Sequence, residues 1–221
     1  RGIQRGIQPQ FDPYEKDRYE ADALAALLQH LGISASSDRL DYEITPEEEA
    51  AAAAFCREEG VVPSRPLVLV APGSGWSGKN WLSERFGAVA DWMVRERGCQ
   101  VAWIGAAGED TLVPAGREGD FRWMGRTSLF TVVAVMKRAQ LFVGNDGGLL
   151  HFSASIGVPT VSVWGPTSPG KWGPKGPGHR QVRKVERCAG CVYWDYRARC
   201  MHNRACMNAV SVADVVQAIQ D

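Results

Sequence analysis

The sequence predicts an α/β fold in which helices cover both faces of a doubly wound, parallel β-sheet. Short, continuous apolar runs such as residues 67–70 are typical of strands that are buried on both faces. Longer segments with helical periodicity lie between these runs. Strands that alternate with helices at this spacing form parallel sheets.

Composition narrows the class of protein. The chain has 221 residues, of which 45% are hydrophobic and 23% charged, and its formal net charge is zero. These values suit one globular α/β domain with attached elements, and the zero charge gives no reason to expect a nucleic-acid partner. No apolar run is long enough to span a membrane, and no signal-like segment opens the chain. We therefore expect a cytoplasmic protein, or a fragment of one because the first residue is Arg1.

Residues 1–62 are predicted to form an interdomain or linker segment with two helices. The first, over residues 16–31, carries an apolar stripe and stops at Gly32. Residues 40–44 alternate as a short strand or an extended link. The second helix starts at Thr45-Pro46, where Glu48 completes a capping box, and continues to residue 60.

Residues 63–221 are predicted to form a Rossmann-like domain. Its predicted strands are residues 67–70, 100–105, 121–124, 141–143 and 160–164, and its predicted helices are residues 83–97, 128–137, 148–156 and 212–219.

The loop that follows the first strand has the chemistry of a phosphate site. In open α/β sheets, ligands bind beyond the carboxyl ends of the strands. Residues 72–81 contain three glycines, the Ser74 hydroxyl and the charged Lys79, which is suited to phosphate. The spacing is not that of a P-loop, because Asn80 follows Gly78-Lys79. The alternative is a flexible, glycine-rich surface loop.

The loop after the fourth strand leads directly into a helix. Backbone N–H groups of Gly147 and Gly148 at such a start can hold an anion. Asp146 can accept hydrogen bonds from sugar hydroxyls, or it can cap the helix. His151, in the first turns, is a second site candidate, and the alternative is a packed histidine bonded to backbone.

Other enzyme classes are disfavoured by spacing. A G-x-S-x-G nucleophile elbow is absent. Residues 73–78 match the letters of a dinucleotide fingerprint, but no helical stripe follows them, which argues against an oxidoreductase. The loop at residues 165–169 is expected to form a rigid wall.

Together these loops resemble glycosyltransferase family 9, the heptosyltransferases of lipopolysaccharide synthesis. Three blocks occur in the family's order: Pro72-Gly73-Ser74 with Lys79-Asn80-Trp81, then Gly144-Asn145-Asp146-Gly147-Gly148 with His151, then Gly157-Val158-Pro159-Thr160 with Trp164-Gly165-Pro166-Thr167. The family usually has Ser or Thr where this chain has Gly147.

The resemblance implies the C-terminal, donor-binding half of a GT-B enzyme that transfers heptose from ADP-heptose to a lipid-linked, lipopolysaccharide-type acceptor. By resemblance, Ser74 and Lys79 contact the pyrophosphate, Asp146, Gly147 and Gly148 bind the sugar and phosphate with His151 adjacent, Glu109 lies near the ribose, and Thr127 lies near the adenine.

The resemblance also implies an inverting transfer that requires no metal or other cofactor. The catalytic base belongs to an N-terminal domain that is absent from these residues, so no catalytic residue is assigned and the chain alone is expected to be inactive. Its expected place is the cytoplasm, at the inner face of the membrane. The alternative function is a non-catalytic module that binds a nucleotide or nucleotide sugar.

Four of the six cysteines are bunched near the end of the chain. Cys188 and Cys191 form a C-x-x-C pair, and Cys200 and Cys206 follow. Their number suits a structural zinc or iron–sulfur site, although the second spacing departs from zinc ribbons. Two disulfides and four free thiols are the alternatives.

Overall fold

A computed structural model of the chain describes residues 18–36, 40–117, 119–184, 188, 190–191 and 200–221. Within these residues, six strands form one sheet in the order β3-β2-β1-β4-β5-β6, and every neighbouring pair is parallel. The strands are β1 (Leu67–Ala71), β2 (Gln100–Trp103), β3 (Phe121–Arg122), β4 (Leu141–Asn145), β5 (Thr160–Val163) and β6 (His179–Val182). The predicted doubly wound parallel sheet is thus confirmed, in the Rossmann strand order.

Helices connect the strands and cover both faces of the sheet. They are α1 (Glu20–Gln29), α2 (Pro46–Glu58), α3 (Ser83–Arg97), α4 (Leu129–Met136), α5 (Gly148–Ser155), α6 (Pro169–Trp172), α7 (Ala205–Ala209) and α8 (Val212–Gln220). Short 3₁₀ turns occur at Ser77–Lys79 and Glu109–Leu112.

Two helices precede the sheet, as predicted. In α2, the Thr45 hydroxyl accepts the Glu48 N–H, and the Glu48 carboxylate accepts the Thr45 N–H, so the predicted capping box is present. The helix α1 is shorter than the predicted residues 16–31, and residues 16 and 17 lie outside the described residues. Residues 40–44 form an extended link rather than a strand.

The sheet separates two apolar layers. On one face α3 and α8 pack on alternate residues of the central strands, with Trp103 and Phe86 fully buried. On the other face α2, α4 and α5 cover the remaining residues, with Phe142 and Trp164 at the centre. Because both faces of the central strands are covered, all five residues of β1 are apolar and buried, which explains its continuous hydrophobic run.

Three elements had no counterpart in the sequence prediction. The strand β6 (His-Arg-Gln-Val) lies at the sheet edge, and only its last residue is buried. An edge strand needs no continuous apolar run, so its sequence carries little signal. The helices α6 and α7 have four and five residues, too few to show a helical period.

Candidate functional site

A cavity of about 520 Å³ opens at the carboxyl edge of the sheet, where the strand order reverses between β1 and β4. This switch point is where open α/β sheets bind their ligands. The loops after β1, β2, β3 and β4 and the first turns of α4 and α5 form its walls. Five of the eight predicted donor-binding residues line it: Ser74, Glu109, Thr127, Gly147 and Gly148.

The other three predicted residues lie together beside the cavity. Lys79 Nζ is 3.1 Å from Asp146 Oδ2, and His151 Nε2 is 4.0 Å from Asp146 Oδ1. The Asp146 carboxylate is almost completely buried, whereas one fifth of the Lys79 side chain is exposed. A buried carboxylate requires such partners, because an unpaired charge is costly to bury.

Thr167 is a further partner of this carboxylate, and its role was missed in the sequence. Its Oγ1 donates to Asp146 Oδ2 at 2.8 Å, and the residue is buried in the loop after β5. The sequence placed Thr167 in a rigid wall. The available signal was its position, since a hydroxyl beyond the end of a parallel strand reaches the ligand edge of the sheet.

The charge state of His151 follows from its surroundings. Burial lowers its pKa from the usual value of 6.5, Asp146 opposes that shift, and Lys79 adds to it. The imidazole therefore stays neutral near pH 7, although a carboxylate lies close to it.

The helix α5 begins at the floor of the cavity. Gly147 is its N-cap, with an extended backbone (φ −171°), and no side chain caps the helix. Asp146 is therefore not the cap, which removes that alternative for this residue. The first N–H groups of an uncapped helix are available to an anion, and the helix dipole favours negative charge there.

The Ser74 hydroxyl is directed toward its own loop. Its Oγ lies 2.6 Å from Asn80 Oδ1 and 2.8 Å from the carbonyl oxygen of Trp76. A hydroxyl has one proton to donate, so these contacts stabilise the loop and leave the Ser74 oxygen as an acceptor.

Glu109 fits into a notch between two glycines. A Cβ added at Gly73 or Gly105 would overlap the Glu109 carboxylate. One carboxylate oxygen accepts the Ala106 N–H at 2.8 Å, which fixes the side chain against the cavity wall. The glycines of two separate loops thus make room for one acidic group.

The cavity continues past Thr127 into an apolar end. Leu129 and Val132 of α4 and Leu149 and Phe152 of α5 form its sides. A flat, weakly polar ring system fits such a surface, with Thr127 as a hydroxyl at its edge.

The four C-terminal cysteines lie near one another. Burial raises the pKa of the Cys206 thiol, and Cys188, Cys191 and Cys200 are all close enough to add to that shift. The Arg204 N–H donates to Cys200 Sγ at 3.2 Å. All four are free thiols, so the disulfide alternative is not observed. Among the described residues, however, no three His, Cys, Asp or Glu side chains are arranged to hold a metal ion.

The strand order, together with a glycine-rich cavity at its switch point, places the chain in the class of Rossmann-like domains. A family model of glycosyltransferase family 9 (heptosyltransferase) matches residues 18–202. The chain belongs to this family, which confirms the predicted resemblance. In the described part of the chain, no helix is long and apolar enough to cross a membrane.

Two curated relatives of this chain are lipopolysaccharide heptosyltransferases. The chain is 27% identical over 155 residues to lipopolysaccharide heptosyltransferase 2 of Salmonella typhimurium, a match that covers 62% of this chain and 44% of that protein. It is 34% identical over 112 residues to lipopolysaccharide heptosyltransferase 1 of Pseudomonas aeruginosa, covering 49% of this chain and 31% of that protein. The chain thus matches less than half of the length of these relatives.

Solved structures share the fold. A family 9 glycosyltransferase from Veillonella parvula matches with a TM-score of 0.76 and 25% identity, over 92% of this chain and 59% of that one. The ADP-heptose lipopolysaccharide heptosyltransferase II of Escherichia coli matches with a TM-score of 0.64 and 18% identity, over 81% and 52%. The iron-containing heptosyltransferase TibC of enterotoxigenic E. coli, solved in complex with ADP-D-β-D-heptose, matches with a TM-score of 0.59 and 20% identity, over 72% and 45%. The fold is therefore the Rossmann-like half of a GT-B glycosyltransferase.

Proposed function

We propose that this chain is the donor-binding half of a heptosyltransferase that takes heptose from ADP-heptose and passes it to a lipid-linked, lipopolysaccharide-type acceptor. The observation that carries the proposal is the uncapped start of α5 at Gly147, which forms the floor of the cavity beside the Lys79–Asp146 pair. Membership of the family and the ADP-heptose named for TibC support the same donor.

The chemistry of the cavity walls indicates where each part of the donor would bind. The diphosphate would lie on the N–H groups at the start of α5, within reach of the Lys79 ammonium. The Glu109 carboxylate, fixed in its notch, would accept hydrogen bonds from the ribose hydroxyls. Adenine would occupy the apolar end with Thr127 at its edge. The Asp146 carboxylate would accept hydrogen bonds from the heptose hydroxyls, with His151 adjacent.

In transfer, this half stabilises the leaving group. As the bond to the anomeric carbon breaks, negative charge grows on the diphosphate, and Lys79 and the Gly148 N–H would be the groups that meet it. Removing one such donor from a preorganised site typically costs about 3–4 kcal/mol in the transition state. The acceptor hydroxyl needs a base, for which we assign no residue of this chain, so the chain alone should bind donor without transferring sugar.

We propose that residues 63–221 form the donor-binding domain, with α2 packed on one face of its sheet, and that residues 1–62 link it to an acceptor-binding domain. The first turn of α1 is fastened to α6 and to the segment after it by the ion pairs Glu20–Lys171 (3.3 Å) and Asp22–Lys175 (3.1 Å). Three leucines of α1 and one just beyond its end follow one another in i, i+3, i+4 and i+7 order and are 37–68% exposed; they are Leu24, Leu27, Leu28 and Leu31, the leucine surface of α1.

An acceptor-binding domain is the occupant that we assign to the leucine surface of α1. The relatives are more than twice as long as the segment they share with this chain, and the family match begins at residue 18, next to α1. Leu24→Glu with Leu28→Glu should not destabilise this chain but should weaken its pairing with an acceptor-binding half. A large loss of stability would contradict the assignment.

A lipid-linked acceptor would also place the reaction at the cytoplasmic surface of a membrane.

Calorimetric titration with ADP, UDP and GDP sugars tests the proposed function. We expect ADP and ADP-heptose to bind, and we expect Lys79→Ala to weaken ADP binding about 10- to 100-fold, the value of a charge-assisted hydrogen bond. Lys184→Ala is the matched control, because Lys184 also pairs with a carboxylate, that of Asp214 at 2.7 Å. Failure of all the nucleotides to bind would refute the function, and so would binding that is unchanged in both Lys79→Ala and Asp146→Ala.

The neighbouring cysteines support a second, structural proposal, namely that Cys188, Cys191, Cys200 and Cys206 hold a structural zinc or iron–sulfur site that is not needed for transfer. Their proximity and the N–H that donates to Cys200 Sγ favour it, and TibC is a family neighbour described as iron-containing. The described arrangement does not itself form a coordination shell. Metal analysis of protein purified without added metal tests this, and less than about 0.1 ion per chain would refute it.

A further inference from the structure

We propose that Asn145 is a positioning residue that holds the Lys79 loop against the donor site. This inference rests on the proposed function, because the loop matters only if it meets the donor. Asn145 ends β4, directly before Asp146, and it is 2% exposed. Its side chain was not singled out in the sequence.

The Asn145 carboxamide joins both ends of one loop. Its Oδ1 accepts the N–H of Trp81 at 2.9 Å, and its Nδ2 donates to the carbonyl oxygen of Pro72 at 2.7 Å. Pro72 directly follows β1, and Trp81 precedes α3. The 3₁₀ turn that presents Lys79 lies between these two points.

The two hydrogen bonds of Asn145 couple the Lys79 loop to the carboxylate of Asp146, which that loop faces. Because Asn145 and Asp146 are consecutive, the backbone that fixes the carboxylate also fixes the loop, and Lys79 Nζ is held 3.1 Å from Asp146 Oδ2. The amide provides both an acceptor and a donor here, whereas an ionised carboxylate provides only acceptors. Asp would keep the acceptor for Trp81 but would place an oxygen against the Pro72 carbonyl.

The matched control is Gln100, a second buried amide that fastens a loop elsewhere. Its Oε1 accepts the Val62 N–H at 2.8 Å, and its Nε2 donates to the carbonyl oxygens of Val62 and Arg65 at 2.9 and 3.1 Å. It lies at the first residue of β2, the opposite edge of the sheet from the cavity. Loss of either amide should lower the free energy of unfolding, but only loss of the Asn145 amide should weaken ADP binding.

The experiment measures ADP affinity and hydrogen exchange in residues 72–81 of the full chain. In Asn145→Ala and Asn145→Asp we expect faster exchange in this loop and ADP binding at least tenfold weaker, whereas Gln100→Ala should leave both unchanged. In a Lys79→Ala background, Asn145→Ala should weaken binding less than threefold further, because the two residues act through one contact.

Three results would overturn the positioning role. The first is unchanged exchange and affinity in both Asn145 variants. The second is a tenfold loss that persists undiminished in the Lys79→Ala background. The third is failure of both Asn145 variants to fold under conditions where Gln100→Ala folds, which would make the carboxamide a requirement of the fold as a whole. If wild-type protein does not bind ADP, the proposed function falls, and the exchange measurement still decides whether Asn145 holds the loop.

Discussion

Lys79 and Asp146 lie 67 positions apart in the chain, yet the ammonium nitrogen of one is 3.1 Å from Oδ2 of the other. The lysine that the sequence assigns to phosphate is therefore paired with a carboxylate. That carboxylate also accepts the Thr167 hydroxyl on the same oxygen. Under the proposed function, a diphosphate would approach an ion pair rather than a free cation, and Asp146 would both oppose the phosphate and orient the ammonium.

The first prediction follows from these opposed effects. Asp146→Asn removes the negative charge but keeps an oxygen that can accept the Thr167 hydroxyl. We expect ADP to bind about fivefold more tightly, because Lys79 is released from its partner. ADP-heptose should gain less or bind more weakly, because a neutral amide oxygen is a poorer acceptor for sugar hydroxyls; hydrogen bonds of this kind are worth about 1 kcal/mol.

Calorimetry with the two ligands measures both effects of Asp146→Asn. Thr167→Val is the companion variant, since it removes a partner of the carboxylate while keeping the charge, and it should not tighten ADP binding. Weaker binding of ADP to Asp146→Asn would contradict the opposed roles.

The second prediction concerns pH. Burial keeps the pKa of His151 below 6.5, so the folded protein takes up its proton less readily than the unfolded chain does. The stability that neutral His151 contributes is full above about pH 6.5, falls as the pH drops from there to the folded-state pKa, and is constant below it. Urea denaturation between about pH 8 and pH 5 should show a shallower loss of unfolding free energy in His151→Gln.

His179 provides the control for this measurement. Burial, with a smaller effect of Arg180, also lowers its pKa, and its Nδ1 lies 3.1 Å from Thr160 Oγ1. It lies in β6, whereas His151 lies in α5 beside Asp146. His179→Gln should remove a separate part of the pH dependence, so that the double variant loses more than either single one. An identical pH slope in wild type and His151→Gln would contradict the prediction.

The sequence was sufficient for features whose signal is local. The strand β1 and the loop with Lys79 are contiguous, and Gly147 follows a strand directly, so periodicity and the rule for parallel sheets place them at one edge. Sequence patterns could not predict contacts between residues that are far apart in the chain. Nothing near Asn145 indicates that it binds both ends of a loop that lies more than 60 positions earlier. The role of Thr167 was missed for the same reason, because its acceptor, Asp146, lies 21 positions away in the chain.

The third prediction tests the notch that holds Glu109. Gly73→Ala would place a methyl group onto the Glu109 carboxylate, which must then leave the cavity wall. The carboxylate is the end of a flexible side chain, so stability should fall by less than about 1 kcal/mol. ADP affinity should fall about five- to twentyfold, as the loss of hydrogen bonds to the ribose would require.

Gly119→Ala is the matched control for Gly73→Ala, because a Cβ there meets no atom within 4 Å and Gly119 does not line the cavity. Glu109→Ala should weaken ADP binding to a similar extent, and adding Gly73→Ala to it should have little further effect. Additive losses in the double variant would show that Gly73 acts without Glu109.

The fourth prediction concerns Gly147, the N-cap of α5. The backbone there is extended (φ −171°), which any residue adopts, and an added Cβ would lie 3.8 Å from Ser74 Cβ, an ordinary contact distance. Gly147→Ser should therefore leave the unfolding free energy within about 0.5 kcal/mol of wild type, or raise it slightly, because serine is also a better N-cap than glycine.

The same substitution should tighten ADP binding about threefold to tenfold. The new hydroxyl would lie at the start of α5, where it can donate to a phosphate oxygen, and a hydrogen bond to a charged group is worth about 1.5–3 kcal/mol before the cost of ordering the side chain. Gly119→Ser, in open space and away from the cavity, is the control and should leave affinity unchanged. Weaker ADP binding by a stable Gly147→Ser protein would show that its hydroxyl caps α5 and takes the N–H groups from the phosphate, so that the bare helix start, rather than a side chain, is what this chain offers to the diphosphate.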